Sequence, residues 1–217
     1  MNTLTLFIDI PFSGFRPVWS REYQDTYPVP PPSTIYNMLL SLIGIDWNKK
    51  DKYRGIQIAL AIQGEREPEI AHIFRKFRRI PQSGKKEPDP YTSRRPDFQD
   101  LLLWLKCWIW IKDFAKDDSF TTLIKDALTP STRGKINRYG GLSLGESSHL
   151  INEISLMEPS DNGRYLIIDP DGYLTLPVWV HHERCPNDQT VLKRFKLSDP
   201  TRLSINPPEN AWIEIKY

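Results

Sequence analysis

Residues 74–96, FRKFRRIPQSGKKEPDPYTSRRP, gather eight Lys and Arg side chains, opposed only by Glu87 and Asp89. The whole chain has a net charge of only +2, so its positive charge is concentrated in one place. Rings are interleaved with it at Phe74, Phe77 and Tyr91, and Phe98 follows just beyond. Cations spaced along an extended segment neutralise phosphates and release their counterions, and aromatic faces stack on bases. The candidate contacts to a polyanion are therefore Arg75, Lys76, Arg78, Arg79, Lys85, Lys86, Tyr91, Arg94 and Arg95. Two other readings stay open: a solvated basic loop, and a protein-interaction module with an acidic partner.

A second group is the glycine-rich run STRGKINRYGGLSLGES at 131–147, which holds four of the eleven glycines. Glycine backbone can approach an anion closely and present N–H groups to it. Arg133, Lys135 and Arg138 add charge there, Tyr139 adds a face, and Gly140 and Gly141 add freedom of approach. The alternative is a turn required to pack a helix. The run lacks the Gly-Lys-Ser/Thr of a nucleotide-binding P-loop and the spacing of a dinucleotide fingerprint.

Acid–base and metal chemistry have few candidates. Among the four histidines, His72 lies near Lys76 at the foot of the basic segment and His149 behind the glycine run. Metal-free RNA scission needs a base for the 2′-OH and an acid for the leaving oxygen, and either histidine could serve. His181 and His182, with Glu183 and Cys185, invite a metal reading, but adjacent strand positions point to opposite faces. The two cysteines, Cys107 and Cys185, are too few for a disulfide framework or a zinc site, which leaves free thiols in a reducing compartment. No catalytic residue, metal or cofactor is assigned.

The elements that must position these groups follow from periodicity. At 217 residues the chain can fill one core. MNTLTLFIDIPF has no basic leader, and no stretch reaches about 18 apolar residues, so a cytoplasmic protein without a membrane span is expected. Leu4, Leu6, Ile8 and Ile10 alternate as a strand that Pro11 should end. Prolines at 28–32 lead into a helix from Ser33 or Thr34, with Gly44 as its stop and no charge in 33–45. A second strand carries Ile56, Ile58, Leu60 and Ile62 up to Gly64.

The stretch LLLWLKCWIWI at 101–111 is a third strand. Leu101, Leu103, Leu105, Cys107, Ile109 and Ile111 should face one way, and Trp104, Lys106, Trp108 and Trp110 the other. That tryptophan face is to be buried by another subunit, by the C-terminal segment, or by ordinary core packing. A helix is expected at about 120–128 and another at roughly 147–157. A hairpin should turn at Asp-Pro-Asp-Gly, and WIEIKY should close the chain as a strand.

Thirty residues between Ile70 and Leu101 are too long for a structureless loop, so they read as a hairpin with its tip at Ser83-Gly84. The order strand, helix, strand, excursion, strand, helix, short strands is that of an α+β, ferredoxin-like or RNA-recognition-type antiparallel sheet with helices on one face. The expected division is a core at 1–157 and a C-terminal β-rich extension at 158–217 packed on it.

Three segments together, IPFSGFRP, YPVPPPSTIYNMLLSLIGI and RYGGLSLGESSHLINEI, resemble the CRISPR-associated protein of family five in the repeat-associated (RAMP) superfamily. The helix entry and the Tyr-Gly-Gly-Leu-Ser-Leu-Gly-Glu-Ser run are most similar to its DevS/Cmx-type branch in type I-B-like systems. The resemblance spans most of 1–157. It implies a subunit that caps the 5′ handle of the CRISPR guide RNA and contacts the backbone and large subunits of Cascade, with target DNA reached only through the complex. It further implies a thumb hairpin, best matched by 72–100, and a handle groove lined by the glycine loop with Phe15, Arg16 and Arg21. Some relatives cleave precursor RNA, but the dedicated processing members carry a C-terminal glycine-rich loop, and this chain has no glycine after Gly172. A non-catalytic RNA binder is therefore expected, with a metal-independent endoribonuclease as the alternative. Defence and RNA-guided transposition both stay open.

Overall fold

The computed structural model describes residues 2–17, 19–20, 23–79, 94–114, 119–138, 140–181 and 190–216. The first strand, β1 (Asn2–Ser13), buries Leu4, Leu6, Ile8 and Ile10 and does not stop at Pro11. Its pairing with β5 holds one register across that point, Ile10↔Leu105 and Phe12↔Leu103. On the other side, β6 reaches only Leu6 to Asp9, so the amide that Pro11 lacks is not needed there. After the short β2 (Tyr23–Gln24), helix α1 (Pro32–Leu42) starts earlier than expected, with Pro31 as its cap and Pro32 in the first turn. Proline's fixed φ suits that position, and Ser33 is buried inside the helix. Gly44 ends it at φ +73, and a Cβ there would stand 2.6 Å from the Asn137 carbonyl oxygen.

A 3-10 turn (Trp47–Tyr53) leads to β3 (Gln57–Gln63), then β4 (Glu69–Arg79), β5 (Arg94–Asp113) and helix α2 (Phe120–Leu128). The 147–157 stretch is not helical. His149 sits in a turn, Leu150 bridges Ser143, and β6 (Glu153–Leu156) pairs with β1. A short apolar run fits either period, and here its amides are taken by Leu142 and Asp9 carbonyls. The chain continues through β7 (Asn162–Ile168), β8 (Leu174–Trp179), β9 (Val191–Leu197), β10 (Thr201–Arg202) and β11 (Ile213–Glu214).

The sheet order is β6-β1-β5-β3-β7-β9-β8, with β2 and β4 on β5, β10 on β7 and β11 on β3. The pairings are antiparallel except β2 with β5. The Asp-Pro-Asp-Gly segment does turn, with the Gly172 amide on the Asp169 carbonyl, but β7 and β8 are not hairpin partners. β9 lies between them. Gly172 crosses its backbone so closely that a Cβ would meet the Phe195 carbonyl oxygen at 2.3 Å.

Both helices bury their apolar faces in one core with β1, β3, β5 and the C-terminal strands. The opposite face holds Ala59, Ala61, Trp108, Trp110 and Tyr165, covered by Leu203, Ala211 and Trp212. The C-terminal segment is thus what buries these two tryptophans. Cys107 is buried in the main core, and burial pushes its thiol pKa well up.

The expected alternation of β5 fails at Trp104, whose φ is +52. Beyond it Leu105, Cys107, Ile109 and Ile111 enter the main core as expected. Before it, Leu102 takes the core position and Leu103 is only half-buried. The broken pleat swaps the faces while the register with β1 is kept. Among the described residues no helix is long and apolar enough to cross a membrane.

Candidate nucleic-acid interface

The two arms of the basic excursion pair from Glu69↔Leu103 to Arg79↔Arg94. The expected Ser83-Gly84 tip, Lys85, Lys86 and Tyr91 lie outside the described residues, as do Arg21, Tyr139 and the side chains of Arg78, Arg79 and Lys135. β2 joins β5 in parallel with Tyr23↔Phe98 and Gln24↔Gln99. Since Phe74 pairs with Phe98, three strands align Tyr23, Phe98 and Phe74 in one row. Tyr23 stacks on Phe98 at 6.3 Å and 27°, and Phe74 meets Phe98 edge-on at 5.7 Å. All three rings are exposed. Lys76, Arg94 and Arg95 are exposed on the same hairpin.

One row nearer the sheet, His72 pairs with Asp100. The Tyr23 hydroxyl donates to Asp100 Oδ1 at 2.8 Å, and His72 Nδ1 lies 2.7 Å from the same oxygen and 2.9 Å from the Tyr23 hydroxyl. The hydrogen bond to Asp100, with smaller help from desolvation and nearby carboxylates, pushes the Tyr23 pKa above its ordinary value. Through its hydrogen bond to Asp100 the phenol anchors one end of the ring row.

The other face of the hairpin root is a polar network. Arg75 sits at a bulge between Phe74 and Lys76. Its guanidinium donates to Gln24 Oε1 at 2.7 Å and to the Glu146 carboxylate at 3.0 and 3.4 Å. Gln99 Nε2 donates to Glu146 at 3.1 Å, and Gln24 Nε2 to Asp97 at 3.4 Å. Arg75, expected as a phosphate contact, is thus an internal tie between the hairpin and the glycine loop.

The glycine loop itself divides. Its end is latched by His149, a buried side chain whose Nδ1 accepts the Gly14 N–H at 3.1 Å and faces the Glu146 N–H at 3.3 Å. Burial pushes the His149 pKa down; Glu146 opposes that and the Arg75 charge adds to it. A neutral acceptor with two backbone donors is a structural latch. Gly145 (φ +99) makes it possible, since a Cβ there would lie 2.7 Å from the Gly14 carbonyl oxygen. Gly140 is exposed at φ +74, whereas a Cβ on Gly141 would press only the exposed Leu150 side chain. The front of the loop turns elsewhere: Asn137 packs on Gly44, and exposed Arg138 borders a shallow cleft with Asn37, Ser41 and Asp46. Arg133 is exposed in the 3-10 turn Arg133–Lys135.

Phe15 corrects another expectation. Only 3% of it is exposed, and it packs in the main core, so it offers no face to a base. Arg16 is exposed but donates to the Ser20 carbonyl at 2.6 Å, bracing the loop after β1. Residues that sequence reasoning passed over are Tyr23, Gln24, Asp97, Gln99, Asp100 and Glu146. For Asp97, Gln99 and Asp100 the available signal was the segment Asp-Phe-Gln-Asp leading directly into an apolar strand. His181 lies against Trp179, while His182, Glu183 and Cys185 are outside the described residues.

No family model matches the chain. A CRISPR-associated protein Cas5 of Myxococcus xanthus (strain DK1622) is 32% identical over 184 residues, covering 82% of this chain and 83% of the relative. Two solved structures share the fold. One, from a CRISPR RNA-guided surveillance complex, superposes with a TM-score of 0.63 over 97% of this chain and 96% of that one, at 13% identity. The other, a crystal structure of a Cas protein, gives 0.56 over 95% and 100% of the two chains, at 12% identity.

Proposed function

This chain belongs to the CRISPR-associated Cas5 family, and from that premise we propose that it is a non-catalytic guide-RNA-binding subunit of a type I Cascade complex. The observation that carries the reading is the row Tyr23–Phe98–Phe74 beside Lys76, Arg94 and Arg95 on one hairpin. Exposed rings in register offer faces to unstacked bases, and the flanking cations meet the phosphates between them. We read β6-β1-β5-β3 as the 4-1-3-2 order of a ferredoxin-like core within 1–157, 158–217 as its β extension, and the β4–β5 hairpin as the thumb. On this reading the subunit caps the 5′ handle in a type I-B-like system in the cytoplasm. Arg16, Arg133, Arg138 and Gly140 stand along the handle, and the backbone and large subunits lie beyond it. The reading accommodates a role in antiviral defence and one in RNA-guided transposition alike.

The test is salt-dependent binding of the purified chain to its own repeat RNA and to a scrambled one. Repeat RNA should bind at least about tenfold tighter, a difference of roughly 1.4 kcal/mol. Changing Arg78, Arg79, Arg94 and Arg95 together to Ala should flatten the salt slope by about 3, at roughly 0.7 per single-strand phosphate. Equal affinity for the scrambled RNA would end the proposal.

One observation favours a second reading, metal-independent scission. His72 is 68% exposed and held by Asp100 beside the Tyr23 hydroxyl, an arrangement that can move a proton. In the same assay without metal, intact repeat RNA supports the binding role. Specific cleavage that His72→Ala abolishes would replace it.

A further inference from the structure

Trp104 is the only non-glycine residue with a positive φ among the described residues, at +52, and 72% of it is exposed. Both properties are unfavourable. A left-handed backbone crowds the Cβ of a bulky residue, and a ring left in water forgoes the burial that makes tryptophan worth placing. The broken pleat needs the backbone angle at this point, but glycine or asparagine would supply it at less cost. Among the described residues, Trp108 and Trp110 are covered by the C-terminal segment, and Trp104 is not.

The ring stands on an open cleft of about 550 Å³ between the turn after β3 and the middle of β5. Glu65, Glu67 and Glu69 line this cleft, against Arg66 and Lys106. The Asn162 amide donates to Glu65 at 3.3 Å, and Arg164 pairs with Glu67 at 3.8 Å, which leaves Glu65 and Glu69 without a cation in an ion pair among the described residues. The cleft is therefore of mixed charge, with carboxylates beside the exposed indole, whereas the hairpin carries exposed cations at Lys76, Arg94 and Arg95.

We propose that the Trp104 cleft is a docking site for an arginine-bearing segment of a protein partner, whose guanidinium stacks on the indole and pairs with the surrounding carboxylates. Arginine fits because its planar cation stacks on aromatic faces and forks onto carboxylates. A tryptophan in a desolvated pocket is also the residue type that dominates protein interfaces. The inference does not rest on the RNA reading, since it is argued from the side chains of the cleft alone.

Two measurements on the full chain test it. Trp104→Gly relieves the backbone and removes a ring that is largely exposed. The isolated variant should melt at the same temperature or up to about 2–4 °C higher, the shift that 1 kcal/mol gives in a domain of this size. In complexes co-expressed with its genomic neighbours it should be retained about tenfold less well, while its affinity for repeat RNA is unchanged. Secondly, Trp104→p-benzoylphenylalanine, irradiated in the assembled complex, should cross-link to a protein segment containing arginine. Changing Glu65, Glu67 and Glu69 together to Gln should abolish that adduct. A fall in the melting temperature of Trp104→Gly would make the ring structural and overturn the proposal. So would normal retention of the variant, an adduct on RNA, or no adduct.

Discussion

β5 is two strands in one. From Leu105 to Asp113 it runs between β1 and β3, buries apolar side chains on both faces, and lies under helices on one side and the C-terminal segment on the other. From Arg94 to Leu103 it is half of a hairpin, with a row of exposed rings on one face and a hydrogen-bonded polar network on the other. The break between them is Trp104. The same backbone ladder thus serves burial in one half and presentation in the other, and side chains alone decide which. Stability should concentrate in the first region and binding in the second.

The largest expected effect tests that separation directly. Trp110 is fully buried against Tyr165 at 5.5 Å. Trp110→Ala should destabilise the chain by about 3–5 kcal/mol, read from chemical denaturation. Phe98, in the exposed ring row of the hairpin half, should behave oppositely. Phe98→Ala should cost under about 1 kcal/mol of stability yet weaken repeat RNA about tenfold, within the roughly 1–3 kcal/mol that base stacking supplies. Comparable unfolding by both changes would erase the distinction between the halves.

How legible the two halves were in the sequence follows the same division. The core half was read correctly because alternation of Leu105, Cys107, Ile109 and Ile111 is a local signal, as it is for Leu4 to Ile10 in β1. The hairpin arms were visible from charge and length. What escaped was non-local. Arg75 and Glu146 are 71 residues apart, so nothing near Arg75 shows that its charge is already engaged. The two-residue β2 carries no period of its own, which hid Tyr23. The run after the glycine loop fits helix and strand spacing alike, and only β1 beside it chose the strand. Gly172 looked like a hairpin turn because its close crossing of Phe195 is invisible in the local sequence.

An intermediate effect sharpens the comparison inside the hairpin. Arg75 and Arg94 are both cations of one basic run, but one is bonded on the polar face and the other is exposed. Arg75→Ala leaves Gln24 Oε1 without its donor and Glu146 with Gln99 in place of the charged one. After allowance for its partial exposure it should lose about 1 kcal/mol of stability. The salt slope of RNA binding should not move. Arg94→Ala should leave the melting temperature unchanged and lower the slope by about 0.7. If the two variants exchange these signatures, Arg75 contacts phosphate and the network is incidental.

The smallest effect concerns the latch that seats the hairpin root on the end of β1. His149 accepts the Gly14 amide as a neutral ring, and burial holds its pKa below the ordinary value of about 6.5. The unfolded chain therefore binds this proton more readily than the folded one. Stability from the latch is complete above the unfolded pKa and is lost as pH falls through 6.5 toward the folded value. Glu146 softens that loss and Arg75 deepens it, and both belong to the hairpin network. Lowering the pH from neutral should thus loosen Gly14 and Glu146 first, seen as faster hydrogen exchange at those amides. Amides of β3, paired between β5 and β7, should keep their protection. His149→Asn keeps a side-chain acceptor without a titrating ring and should remove this part of the pH dependence. An unchanged acid sensitivity in that variant would assign the loosening to another group and leave the root of the hairpin no weaker than the sheet it grows from.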